Sequence, residues 1–184
     1  MRLKTASIGL LVIALVAALG ATAYTTGSVD RSSNVDVVTD NNGLIGLEDG
    51  TSGSLVQQNS TGALTVDFTR GGGTGVNTAA DFELGNTNDP TNQTAFNITN
   101  NGGATFDLSV DYTLDADDSD TDANIKFQIY NSSGNNVATV DEESGSKTIS
   151  SVSSGTTYYV VIVVNTHGLS DSDNLSGTFN VSTS

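Results

Sequence analysis

Phe106-Asp107-Leu108-Ser109-Val110-Asp111-Tyr112-Thr113-Leu114 alternates apolar and polar residues without a break. Successive side chains of a strand point to opposite faces, so this period of two buries Phe106, Leu108, Val110, Tyr112 and Leu114 together and leaves the acidic and hydroxyl residues to water. A helix would scatter the same residues around its axis. The same pattern recurs outward from this segment. Ile125, Phe127 and Ile129 alternate with Lys126 and Gln128, and Leu64, Val66 and Phe68 form a third case. Phe96 with Ile98, Val137 to Val140, and Phe179 with Val181 are shorter ones, and Val29, Val35 and Val37 suggest a weaker early strand. Thr157 to Val164 (TYYVVIVV) is apolar on both faces, which predicts a central strand covered on both sides or buried in an interface.

The segments between are rich in Gly, Asn, Ser and Asp, as at Gly71-Gly72-Gly73, Asn100 to Gly103, Ser132 to Asn136 and Ser153-Ser154-Gly155. These residues tolerate positive φ or bond their own backbone in turns. The single proline, Pro90, falls in such a connection. No convincing amphipathic helix is present. About nine short strands joined by such turns predict an all-β chain, a single antiparallel β-sandwich.

Composition narrows the function classes. The chain has 6 Lys+Arg against 21 Asp+Glu and a net charge of −15. Such a surface repels nucleic acid and anionic lipid headgroups, which removes both as partners. High acidity with only three lysines (Lys4, Lys126 and Lys147) suits a protein whose self-repulsion is screened by concentrated salt, where the Debye length falls to about 3 Å at 1 M. This points to a halophilic, archaeal source. There is no cysteine, so stability must come from a packed core rather than disulfides.

The first 23 residues place the protein. Arg2 and Lys4 precede an apolar run from Ile8 to Leu19, and Ala21-Thr22-Ala23 supplies small residues where signal peptidase reads. This is the layout of a secretory signal peptide, residues 1–23, cut before Tyr24. The run is shorter than the roughly 20 residues needed to cross a bilayer. A lipoprotein would need a cysteine, and a pilin-type leader would be cut before the apolar run after a basic-Gly pair, whereas Gly9 follows Ile8. The expected product is a secreted or cell-surface domain, residues 24–184, with no membrane attachment after cleavage. Removing Arg2 and Lys4 leaves 4 basic and 21 acidic residues, a net charge of −17.

The order of several short motifs adds a resemblance. Ser28-Val29-Asp30-Arg31 and Val35-Asp36-Val37-Val38 follow the leader, then Leu44-Ile45-Gly46-Leu47, then Gly75-Val76-Asn77, and then Ala95 to Gly102 ahead of the alternating strand. In this the chain resembles a family of small secreted haloarchaeal proteins of uncharacterised function. That family is in turn similar to the biofilm-matrix fibre protein TasA, the camelysins and the archaeal bundling pilins. The resemblance implies a jelly-roll-like sandwich and a filament whose subunits join when an N-terminal strand of one completes the sheet of the next. The donor here would be residues 24–38, with Val29, Val35 and Val37 as the side chains that fill a neighbour's groove and a homopolymer as the product. Camelysins are described as metalloproteases, but a zinc protease needs paired histidines at helical spacing with a glutamate, and this chain has His167 alone in a Gly/Asn-rich segment. Protease activity is therefore not carried over, and no enzyme is expected.

Two further patterns concern binding and modification. Asp115, Asp117, Asp118, Asp120 and Asp122 crowd the segment between two strands and offer the oxygen ligands that calcium (Ca2+) prefers. No glycine sits at the bend and no glutamate closes such a site, so a solvated acidic turn is the simpler reading. Asn-x-Ser/Thr occurs at Asn59, Asn92, Asn97, Asn131, Asn174 and Asn180. Of these, Asn59, Asn131 and Asn174 fall in loops and are the better glycosylation candidates, while Asn97 and Asn180 fall in predicted strands. The sequence thus supports a secreted structural protein of the cell surface or extracellular matrix. The alternative is a monomeric Ca2+- or glycan-binding β-sandwich.

Overall fold

The computed structural model describes residues 39–70, 74–115 and 121–183. Eleven strands form among them: β1 (Ile45–Asp49), β2 (Val56–Gln58), β3 (Leu64–Val66), β4 (Asp81–Leu84), β5 (Phe96–Asn100), β6 (Phe106–Leu114), β7 (Ile125–Tyr130), β8 (Asn136–Asp141), β9 (Lys147–Val152), β10 (Thr157–Asn165) and β11 (Gly177–Thr183). Every pairing is antiparallel. One sheet has the order β1-β5-β10-β7-β8, with β4 also on β10; a second has the order β11-β6-β9; β2 and β3 form a ribbon. The chain is an all-β antiparallel sandwich.

The alternation that defined β6 is realised. Leu108 and Val110 are fully buried and Tyr112 nearly so, while Asp107, Ser109 and Asp111 stand on the other face. The double-sided apolar strand is β10, which is central. It pairs with β7 through Tyr159 to Val164 along one edge, and with β5 and then β4 in tandem along the other. Val160 and Ile162 face the core, and Val161, on the opposite face, is also fully buried. Pro90 lies in the excursion between β4 and β5, as expected of a proline, but it is buried. It approaches the β7–β8 turn, where a Cβ on Gly134 would meet its Cγ at 4.0 Å.

From β5 onward the chain passes repeatedly between the sheets, and this lays their apolar faces on one another. The interior is a single cluster to which Phe96, Ile98, Phe127, Ile129, Val160 and Ile162 contribute from one sheet, facing Leu108, Val110 and Tyr112 of the other. Burying a large apolar side chain is worth about 1.5–3 kcal/mol, so this cluster, with no disulfide to help, carries the fold. Four rings bridge the two layers. Phe127 stacks on Phe179 at 4.7 Å and tilts against Tyr112 at 4.8 Å, and Phe96 meets Phe179 edge-on at 5.4 Å.

Three polar residues fasten the crossovers from inside. Asn100 is fully buried; its Nδ2 donates to the carbonyls of Ala104 and Val152, both at 2.9 Å, and its Oδ1 accepts the Gly102 N–H at 2.8 Å. The sequence predicts a connection from Asn100 onward, but Asn100 is the last residue of β5 and part of the interior. Thr94 donates its hydroxyl to Phe96 O at 2.7 Å, and the Thr166 hydroxyl donates to Asn77 O at 2.7 Å and accepts from Ala80 N at 2.9 Å.

Eleven described strands exceed the expected nine for identifiable reasons. β2 has three residues and β4 has four, too short for a period to show. In β9 the buried residues Ile149 and Val152 are three apart because Ser151, at φ 57°, forms a bulge whose N–H is accepted by Asp107 Oδ1 at 2.6 Å. The strand read through Phe68 ends at Val66, since Asp67 Oδ1 takes the Thr69 N–H and hydroxyl and turns the chain. The segment bearing Val29, Val35 and Val37 and the Gly71–Gly73 connection lie outside the described residues.

Candidate functional site

The two sheets do not close on each other along one side. There, between β11 and the β1–β5 side, a cleft of about 850 Å³ opens into the core. Its floor is Phe96, Phe127, Tyr112 and Phe179, and Leu47, Leu64 and Val66 line a wall. Leu47, Leu64, Val66 and Phe179 pack against the core but stay partly exposed. Partly covered apolar side chains beside an ordered core leave room for a further apolar segment to pack.

β11 is the edge of the three-stranded sheet that borders this cleft. It pairs with β6 over seven residues, Gly177 to Thr183, and no described strand pairs with its other edge. An edge strand offers its outer N–H and C=O groups to a further strand, and the first three residues of β11, Gly177, Thr178 and Phe179, line the cleft. The β1 edge differs, because Gln58 Nε2 donates to Leu47 O at 2.8 Å and the β2–β3 ribbon lies beside it. β11 is held close to β6 at its start by Gly177, where a Cβ would come within 2.3 Å of Thr113 O and 2.8 Å of the Tyr112 ring. The Tyr112 hydroxyl donates to Leu175 O at 2.6 Å, which ties the preceding loop to the same place. Burial, and secondarily the carboxylates of Glu142 and Asp115, pushes that phenol well above its ordinary pKa, so it stays a neutral donor.

The described chain enters this region. Asp40 N donates to Gly62 O at 3.1 Å, and Asp40 Oδ2 accepts the Leu64 N–H at 2.7 Å, so residues just after position 38 are fixed to the ribbon that forms one cleft wall. Acidic residues surround the mouth: Asp67, Asp115, Asp171 and Asp173 all line it.

The expected calcium set divides. Asp115 is exposed at the cleft, with its N–H bonded to Ser176 O, and Asp122 is exposed ahead of β7. Asp117, Asp118 and Asp120 lie outside the described residues. Among the described residues no group of three or more His, Cys, Asp or Glu side chains could hold a metal ion. The acidic turn at Asp141 to Glu143 contains a residue that sequence reasoning missed. Glu142 accepts the backbone N–H groups of Asn124 and Ile125 and so anchors the start of β7. Its partial burial raises its pKa above the usual carboxylate value, against the lowering effect of those N–H donors. His167 is exposed, with Nε2 3.6 Å from Asp81 Oδ2.

The sequon asparagines also separate. Asn59, Asn131 and Asn174 lie in turns; Asn97 and Asn180 lie in β5 and β11. Tyr158 and Tyr159 face opposite ways, Tyr158 into the core cluster and Tyr159 on the outer face beside Asn97 and Tyr130. No helix among the described residues is long and apolar enough to cross a membrane. The chain matches no family model, and no curated protein matches it.

Proposed function

We propose that the protein is a secreted structural subunit of the cell surface or extracellular matrix, and that it self-associates when the segment 24–38 of one copy adds to the β11 edge of another and fills the cleft. The observation that carries this reading is the cleft, with its aromatic floor and a lining about half polar, beside an edge strand that is unpaired among the described residues. Strand addition supplies backbone hydrogen bonds along the edge and pockets for alternate side chains, here Val29, Val35 and Val37. The 15 residues of this segment span about 50 Å when extended, enough to reach a neighbouring copy. The resemblance to TasA-type fibre proteins supports the same arrangement.

Magnitudes say what kind of assembly to expect. Three buried valines give roughly 5–9 kcal/mol in total, at about 1.5–3 kcal/mol each. Association costs of the order of 4–15 kcal/mol offset most of this. Contacts of this size give a concentration-dependent polymer, strengthened by the high salt that screens a −17 chain. The test is electron microscopy and sedimentation of residues 24–184 across salt concentrations, beside a form lacking residues 24–38. Filaments from the first and folded monomers from the second are expected. Monomers from both at every salt and protein concentration would sink the proposal, and an unfolded deletion form would show that the segment belongs to its own domain's sheet.

A further inference from the structure

We infer that Asn59, Asn131 and Asn174 are N-glycosylated and that Asn92, Asn97 and Asn180 are not; the inference rests on the export reading above but not on strand donation. In each of the first three, the Oδ1 of the asparagine accepts the backbone N–H of the sequon's hydroxyl residue: Thr61 at 2.9 Å, Ser133 at 3.0 Å and Ser176 at 2.9 Å. Each sequon is thus an Asx turn that brings the hydroxyl residue back over the amide. At Asn59 the Thr61 hydroxyl joins in, donating to Oδ1 at 2.6 Å. None of the three Nδ2 groups makes a hydrogen bond among the described residues. Asn59 and Asn174 are exposed and Asn131 is partly so.

This geometry suits the chemistry. Transfer forms a bond between Nδ2 and the anomeric carbon of a lipid-carried glycosyl phosphate. The bond from that carbon to the phosphate oxygen breaks, the phosphate leaves with the electron pair, and one Nδ2 proton passes to a base on the transferase. An amide nitrogen is a poor nucleophile because its lone pair is delocalised onto Oδ1. Donors on Oδ1 stabilise the charge that this oxygen gains as Nδ2 gives up its proton. A free, solvent-facing Nδ2 with a polarised Oδ1 is what the three turns present.

The other three sequons lack it. Asn92 Nδ2 is engaged by Asp89 Oδ1 at 2.8 Å, and its sequon hydroxyl, on Thr94, is buried and donates to Phe96 O. Asn180 Nδ2 donates to Asp111 Oδ2 at 3.1 Å. Asn97 lies within β5 with its Oδ1 buried and unpartnered, and the Thr99 hydroxyl pairs with that of Thr157 at 3.0 Å. In the strands the residue two positions on faces the same way, but its N–H does not turn back to the amide.

The test is peptide mass spectrometry on the protein recovered from its source organism's medium and cell surface. Glycan mass on the peptides bearing Asn59, Asn131 and Asn174, none on the other three, and loss of one glycan mass from the whole protein in each of Asn59→Gln, Asn131→Gln and Asn174→Gln are expected. Ser133→Ala and Ser176→Ala should remove the neighbouring glycan, and Ser133→Thr and Ser176→Thr should keep it. Bare asparagines on a chain that begins at Tyr24, or glycans on Asn92, Asn97 or Asn180, would overturn the assignment alone. A chain that keeps residues 1–23 and carries no glycan would overturn the export reading and the assignment with it.

Discussion

Replacing Asn100 with alanine should be among the most damaging single changes available to this domain. Asn100 is an interior residue that bonds the end of β5, the turn after it and the end of β9 together, through Ala104 O, Gly102 N and Val152 O. Alanine removes all three partners while the residue's own backbone stays bonded to Thr156 and Gly155. A buried backbone group left unpaired costs about 1–3 kcal/mol; Gly102 and Val152 are buried while Ala104 is exposed and can turn to water, so the loss comes to about 3–5 kcal/mol. For a domain of this size each kcal/mol lowers Tm by about 2–4 °C, so a fall of about 6–20 °C is expected. Urea and thermal unfolding of residues 24–184, followed by circular dichroism in matched salt, would measure it. Asn101→Ala is the control. Asn101 is exposed and donates to Asn41 O and Gly43 O, so its loss should cost under about 1 kcal/mol. Asn100→Asp keeps the shape but turns an oxygen toward two carbonyls, so it should be worse at pH 7 than at pH 4, where a protonated carboxyl can donate. A loss below about 1 kcal/mol for Asn100→Ala, with an unchanged urea slope, would refute the reasoning.

Gly177→Val should loosen the first turn of β11, because its Cβ would meet Thr113 O and the Tyr112 ring; a loss of about 1–3 kcal/mol by urea unfolding is expected. Glu142 has a raised folded-state pKa, so wild type should gain stability relative to Glu142→Gln as pH falls from above that value toward the ordinary carboxylate value of 4.5, and the difference should be flat outside this window. Paired urea titrations from pH 7 to pH 4 would show it, and a difference of the opposite sign would place Glu142 in a net-favourable charged environment.

Strands whose alternation is long and local were legible in the sequence: β6, β7 and the central β10 stand where the pattern put them. β9 was hidden by the Ser151 bulge, which moves Val152 to the face that Ile149 already uses. β4 was hidden by brevity. Asn100 reads as a loop residue, and Thr94 and Thr166 carry no sequence signal, because a buried polar side chain is justified only by partners far along the chain, such as Val152 for Asn100. The cleft was invisible for a related reason. A strand's pattern says which face is apolar, but not whether a neighbour covers its edge. That β11 is an edge follows from the pairing of the whole sheet. Glu142 was missed because its function depends on backbone groups 17 and 18 residues earlier.

The position of β10 in the chain has a kinetic consequence. Residues 157–165 join β4, β5 and β7, all made earlier, into one sheet. A chain appearing N-terminus first therefore offers several strands long before the member that organises them, and β11 later still. Such non-local pairing folds slowly, and it cannot begin until nearly the whole polypeptide has emerged. Delayed closure leaves the chain threadable until late in its synthesis, which is the state that the proposed export would require of it. The abundance of like charge that keeps copies apart during that interval is then as much a safeguard for the unfolded chain as for the folded one.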